Sequence, residues 1–272
     1  MITSTKETIT PAIAQEFLST SVGNRPLSKD TIEMYAREMK AGNWIYNGVP
    51  IIFDQNNNLL DGHHRCHAVI RAGVAIESQV TKGVPHEAFS TIDNGRNRTL
   101  GQLIGIDGTK HYNAVASSVN FVYRLMSGFN MSSTAGGAKS MRKTNKAMLD
   151  FYYKDKPNFD KAGRFATDIF NKAHLLQKSI IGGLFYYLTF VLKHDEGMVT
   201  DFFTMLCSYD TADNKTINTL RKRLIANCTN ITKLPPLVVN ALVIKAWNSF
   251  VTDTPLKCVK FAPETEEFPK IL

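Results

Sequence analysis

The chain has 272 residues, 43% of them hydrophobic and 21% charged, and a formal net charge of +8 at pH 7. Such a length holds one large domain or two modest ones, and the composition is that of a globular protein, not of a disordered or collagenous chain. The excess of Lys and Arg favours polyanionic partners, such as nucleotides, nucleic acid or an anionic surface.

Cysteines stand at 66, 207, 228 and 258, too far apart for a CxxC zinc ribbon or a disulfide framework, so a reducing cytoplasm is the expected compartment. The polar N-terminus carries Lys6 and Glu7 without an apolar stretch, which predicts no secretory signal. The longest apolar run, at 180–192, is too short and interrupted to cross a bilayer, so no membrane partner is expected.

Residues 1–19 read as a weakly helical or extended lead-in, and turn formers follow at 24–28. Ser28 caps a predicted helix running to about Ala41, with Asp30 in its first turn. Ile32, Tyr35, Ala36 and Met39 recur at i, i+3, i+4 and i+7 as its apolar face, and Gly42 ends it. A short apolar strand at 49–53 and turn formers at 54–58 lead to a return strand beginning at Leu59-Leu60. A helix over 65–71 stops at Gly73, a strand spans 75–84, and 85–89 makes one helical turn. A basic turn at 93–98 precedes a short helix over 100–104 that Thr99 can cap. These elements make a small α/β domain over residues 1–108.

Past Gly108 the pattern is helical, with predicted helices at 111–128, 140–153, 158–175, 178–193, 196–208, 214–227 and 236–251. A flexible loop is expected at 128–137, and a late strand near 256–261. The predicted fold class is therefore α/β (α+β), a small sheet domain followed by a mainly helical domain over 109–272.

The run Asp61-Gly62-His63-His64-Arg65 is the strongest functional signal. A glycine turn between a strand and a helix presents backbone N–H groups and the positive end of a helix dipole, which suits phosphate. Gly62 lets a ligand approach the backbone, Arg65 offers a two-pronged charged fork, and His63 or His64 can act as acid or base. Asp61 can orient a histidine, hold Mg²⁺ or cap the helix. His63 and His67 share a helix face at metal-ligand spacing, but no Glu and no third ligand accompany them, and a packing role suits His67 better.

This motif resembles the DGxHR signature of the ParB/sulfiredoxin-like superfamily, over roughly residues 20–105. The flanking Gly42-Asn43-Trp44, the strand pair and the turn at 93–98 match as well. The resemblance implies a mixed-sheet domain whose helix N-terminus and arginine bind nucleotide phosphate, with ATP or CTP and Mg²⁺ as cofactors. It implies a nucleotide-binding protein acting on or with DNA that cleaves a phosphoanhydride or phosphodiester. Two alternatives stand beside it: a small-molecule phosphotransferase like the DGHHR free-serine kinases, and a non-catalytic DNA-binding or adaptor protein. Compact size fits a phage or mobile-element protein.

Further cations extend the expected polyanion surface. Arg96 and Arg98 sit in the basic turn as a second wall for phosphate. Lys139, Arg142, Lys143 and Lys146 fall at helical spacing, and Lys215, Arg221, Lys222 and Arg223 form another cluster; from these, Lys139, Arg142, Lys143, Arg221 and Arg223 are the candidate nucleic-acid contacts. Charge runs are also ordinary solvated helix faces. The aromatic groups at 185–187 and 202–203 are expected to be core, and Trp44 to pack beneath the strand pair.

Overall fold

The computed structural model describes residues 1–21, 27–92, 98–127, 143–208, 214–229 and 231–272. The chain is an α+β protein with a small mixed sheet and a larger helical part. It divides into two compact units, the first up to residue 97 and the second from Arg98 onward, with Lys143 and Thr144 grouped with the first.

The first unit opens with β1 (Thr3–Ile9) and α1 (Pro11–Ser19), followed by α2 (Lys29–Lys40). Ser28 caps α2 by accepting from the Thr31 amide, as its sequence predicts, and Asp30 lies in the first turn. Then come β2 (Pro50–Asp54), β3 (Leu59–Asp61), α3 (His63–Ala72) and β4 (Ile76–Val84), with a 3-10 turn at His86–Thr91. The sheet order is β1-β4-β2-β3; β1 lies antiparallel to β4, β2 parallel to β4, and β3 antiparallel to β2. Ile76, Ser78 and Val80 of β4 point inward and Glu77 outward, the period-two pattern of a half-buried strand. The core joins Ile9, Phe17, Met39, Ile51, Phe53, Leu59, Val69 and Val80. Phe17 meets Phe53 edge-on at 4.8 Å, and Trp44 meets Tyr35 at 5.2 Å.

The second unit contains α4 (Leu100–Ile106), α5 (Tyr112–Met126), α6 (Asn145–Tyr153), α7 (Lys156–Ala173), α8 (Lys178–Tyr186), α9 (Glu196–Cys207), α10 (Lys215–Cys228) and α11 (Pro236–Val251). Thr99 and Gln102 form a reciprocal capping box at α4. Leu100 and Ile104 pack in the helical core with Val119 and Phe159, so α4 belongs to the second unit and the division falls before Arg98, not after Gly108. Three glycines let helices approach closely. A Cβ on Gly163 would lie 2.3 Å from Val115, one on Gly182 2.1 Å from the Ser118 hydroxyl, and one on Gly183 2.2 Å from Phe121. Phe185, Tyr186, Phe202 and Phe203 are core as expected, whereas Tyr187, just past α8, is only half-buried.

No strand forms at 256–261. Helix side chains take the carbonyls that a ladder would have used: Arg223 donates to Val259 at 2.5 Å and Lys245 to Lys260 at 2.7 Å, while Val259 is buried. The loop expected at 128–137 lies outside the described residues. Among the described residues, no helix is long and apolar enough to cross a membrane.

Candidate functional site

The Asp61–Arg65 motif sits where β3 turns into α3. Gly62 is the N-cap, at φ 111°. That left-handed backbone suits glycine, and a Cβ there would also lie 2.9 Å from the Ile51 side chain. The first hydrogen bond of α3 runs from the Cys66 amide to the Gly62 carbonyl at 2.9 Å, and no side chain caps the helix start. The positive end of α3 is thus placed at the strand exit, as the sequence implies.

Arg65 does not stand out as an open fork. Its Nη1 donates to the Val49 carbonyl at 2.7 Å; its Nη2 donates to the Pro50 carbonyl at 2.5 Å and to Asp61 Oδ2 at 3.0 Å. Its side chain is 13% exposed and that of Asp61 33%. The guanidinium clamps the entrance of β2 to the motif, and Asp61 spends a carboxylate oxygen on Arg65 rather than on the helix start. This revises the expected roles: Arg65 positions the turn, and the Asp61 charge is cancelled within the motif.

The histidines are also engaged. His63 is buried, and its Nε2 lies 2.6 Å from the hydroxyl of exposed Ser21. Burial pushes its pKa down from 6.5, with His67 and His64 adding to the fall and Asp61 opposing it, so the ring is held neutral. His64 Nε2 accepts from the Ser28 amide at 3.0 Å, which places its own proton on Nδ1. Neither contact was legible in sequence, where Ser28 reads only as a helix cap, because Ser21 and Ser28 lie 42 and 36 residues from their imidazole partners. Cys66, one residue past the arginine, is buried, and burial pushes its thiol up to about 12, so it is no nucleophile.

A neutral imidazole touching an exposed hydroxyl can move a proton at neutral pH. A divalent cation fits less well. Asp61 is a single carboxylate already opposed by a guanidinium, and among the described residues no group of three His, Cys, Asp or Glu could hold a metal ion. Half-buried His67 belongs to no such group among the described residues.

The other expected cations are described only in part. Arg96, Lys139 and Arg142 lie outside the described residues. Arg98 is exposed in the second unit, beside the α4 cap, with its carbonyl accepting from Asn145. Lys143 precedes α6 and so shares no helical face with Lys146, which pairs with Asp150. Arg223 is half-buried and spent on the Val259 carbonyl, and Arg221 is half-buried beside Cys207. Lys222 between them is exposed.

One polar staple was not anticipated. Asp54, with 1% exposure, accepts from the Asn56 and Asn58 amides, the Asn58 side chain and His86 Nδ1, all within 3.0 Å. Burial raises its pKa, but these hydrogen bonds outweigh it and hold the carboxyl at about 2. It fixes the β2–β3 turn that delivers the motif.

Protein-family models, curated proteins and solved structures were compared with the chain, and none matches it.

Proposed function

We propose that the first unit binds the phosphate of a nucleotide at the start of α3, as a ParB/sulfiredoxin-like module working with DNA, and cleaves a phosphoanhydride or phosphodiester there. The observation that carries this reading is the junction itself: β3 and left-handed Gly62 lead into the uncapped start of α3, whose first two residues are His63 and His64. The Asp61–Arg65 pair supports it by cancelling the carboxylate that would repel an anion at that end. The net charge of +8 is compatible with a polyanion partner.

In this reading the α3 dipole and the N–H of an imidazole stabilise charge on the phosphate oxygens. Neutral His63 accepts the proton of the attacking hydroxyl or water. Arg65 and Asp61 hold the turn and do not touch the phosphate. The engagement of Asp61, Arg65 and His63 with protein partners favours, as a second reading, a site that binds without turnover.

Calorimetry of the whole chain with ATP and CTP, followed by phosphate release with and without duplex DNA, tests both. Saturable nucleotide binding with phosphate release that His63→Gln removes sustains the catalytic reading. Binding without release sustains the second, and absence of binding defeats both.

A further inference from the structure

Ser21 stands beside the α3 junction although it comes 42 residues before His63 in the chain. It follows α1, and its amide donates to the Leu18 carbonyl at 3.2 Å. The Thr20 carbonyl accepts from the amide of fully buried Leu59 at 3.2 Å, and Ser21 itself forms an isolated parallel bridge with Leu59. The backbone thus pins Ser21 to β3, the strand that runs into the motif, while the residue stays exposed.

The imidazole that Ser21 meets belongs to His63, the first residue of α3. Oγ and Nε2 lie 2.6 Å apart, within hydrogen-bond reach of a nucleophile and its base. His63 is 8% exposed, so packing fixes the ring, whereas the oxygen is open to a reactant. Burial holds the ring neutral and able to accept, and Asp61 favours the imidazolium that it becomes. A serine hydroxyl is a weak nucleophile alone, and an adjacent neutral imidazole activates it.

We propose that Ser21 is a nucleophile towards phosphoryl electrophiles, with His63 as its base. The proposal deepens the reading given for the α3 start, on which the choice of phosphorus rests, by making the attacking hydroxyl the protein's own. The bond from Ser21 Oγ to phosphorus forms as the bond from phosphorus to the leaving oxygen breaks. The hydroxyl proton passes to His63 Nε2 and from there to the leaving oxygen. His63 then takes a proton from the water that attacks the phosphoserine, and returns it to Ser21 Oγ as that ester bond breaks.

A biotinylated fluorophosphonate tests the nucleophile without any nucleotide, since Oγ displaces fluoride and the proton goes to His63. Peptide mapping of the whole chain is expected to find the label on Ser21. The label is expected to be absent from Ser21→Ala, and from the parent unfolded in urea beforehand. His63→Gln is expected to react about 100-fold more slowly, the loss of a general base. Should His63→Gln not fold, Ser21→Cys decides: its thiol is expected to react with iodoacetamide about tenfold faster than exposed Cys228 and Cys258, because a neighbouring imidazole favours the thiolate. No label on Ser21, a label that persists in urea, His63→Gln reacting at the parent rate, or a Ser21→Cys thiol no faster than Cys228 overturns the proposal. Labelling of Ser21 in a chain that binds neither ATP nor CTP upholds the nucleophile and defeats the nucleotide reading; nucleotide binding with phosphate release and no label does the reverse.

Discussion

The two polar regions of this protein are built in opposite ways. At the start of α3 the charged and hydrogen-bonding side chains satisfy one another: Arg65 with Asp61 and two carbonyls, His63 with Ser21, and His64 with the Ser28 amide. In the second unit, around a half-open cavity of about 610 Å³ lined by Phe121, Phe170 and Val239, two helix starts lack side-chain caps and Arg124 is exposed. A closed network stabilises the fold and leaves less for a ligand; an open one contributes little to stability. Substitutions at the first region should therefore register strongly in stability, and those at the second weakly.

Gly62→Ala should give the largest effect. It combines a left-handed backbone with a 2.9 Å approach to Ile51, so a loss of about 3 kcal/mol is expected in urea denaturation. Arg65→Ala should follow at about 2 kcal/mol, because two carbonyls and the Asp61 carboxylate lose their donor. A fully stable Arg65→Ala protein would break the contrast and return the arginine to a ligand-binding role.

Asp54→Ala should cost about 1.5 kcal/mol at neutral pH. With its native carboxyl at about 2 against the usual 3.8, Asp54 stabilises the fold above pH 3.8 and loses that effect as pH falls towards 2. The variant and the parent should thus converge in stability across that window in acid titrations followed by circular dichroism.

His63 gives a smaller effect in a different window. Its native pKa lies below 6.5, so the unfolded chain takes up a proton that the native ring resists. Stability should decline as pH drops below 6.5, and His63→Gln should flatten that part of the curve in thermal melts. Arg124→Gln should be the mildest for the fold, within about 0.5 kcal/mol of the parent.

Much of the architecture was legible because local signals agreed with tertiary ones. Ser28, Asp30 and the 3.6-residue spacing of 32, 35, 36 and 39 define α2, and Thr99 with Gln102 defines the start of α4. The β1 strand was not legible: from Thr3 to Lys6 it is exposed, so no alternation marks it, and it exists because it pairs with β4 at the sheet edge. The supposed strand at 256–261 failed for the converse reason. Its apolar residues are genuine, but Arg223 and Lys245, 36 and 15 residues away, satisfy the Val259 and Lys260 carbonyls.

At the candidate site, sequence located the turn and its glycine but did not show that the arginine is engaged by the Val49 and Pro50 carbonyls and Asp61. The i,i+4 spacing of Asp61 and Arg65 is itself a helix ion-pair signal that marks the clamp. The serine partners of the histidines carry no such local mark, since chain folding alone brings them there.

Burial of Cys66 has a practical outcome. With its thiol held at about 12, scarcely any thiolate exists at neutral pH, while Cys228 and Cys258 are exposed. Replacing Cys258 with serine leaves Cys228, on the wall of the helical cavity, as the exposed attachment point for a maleimide dye. Entry of an added molecule into that chamber then becomes readable as a change in emission from a single, chemically addressed position.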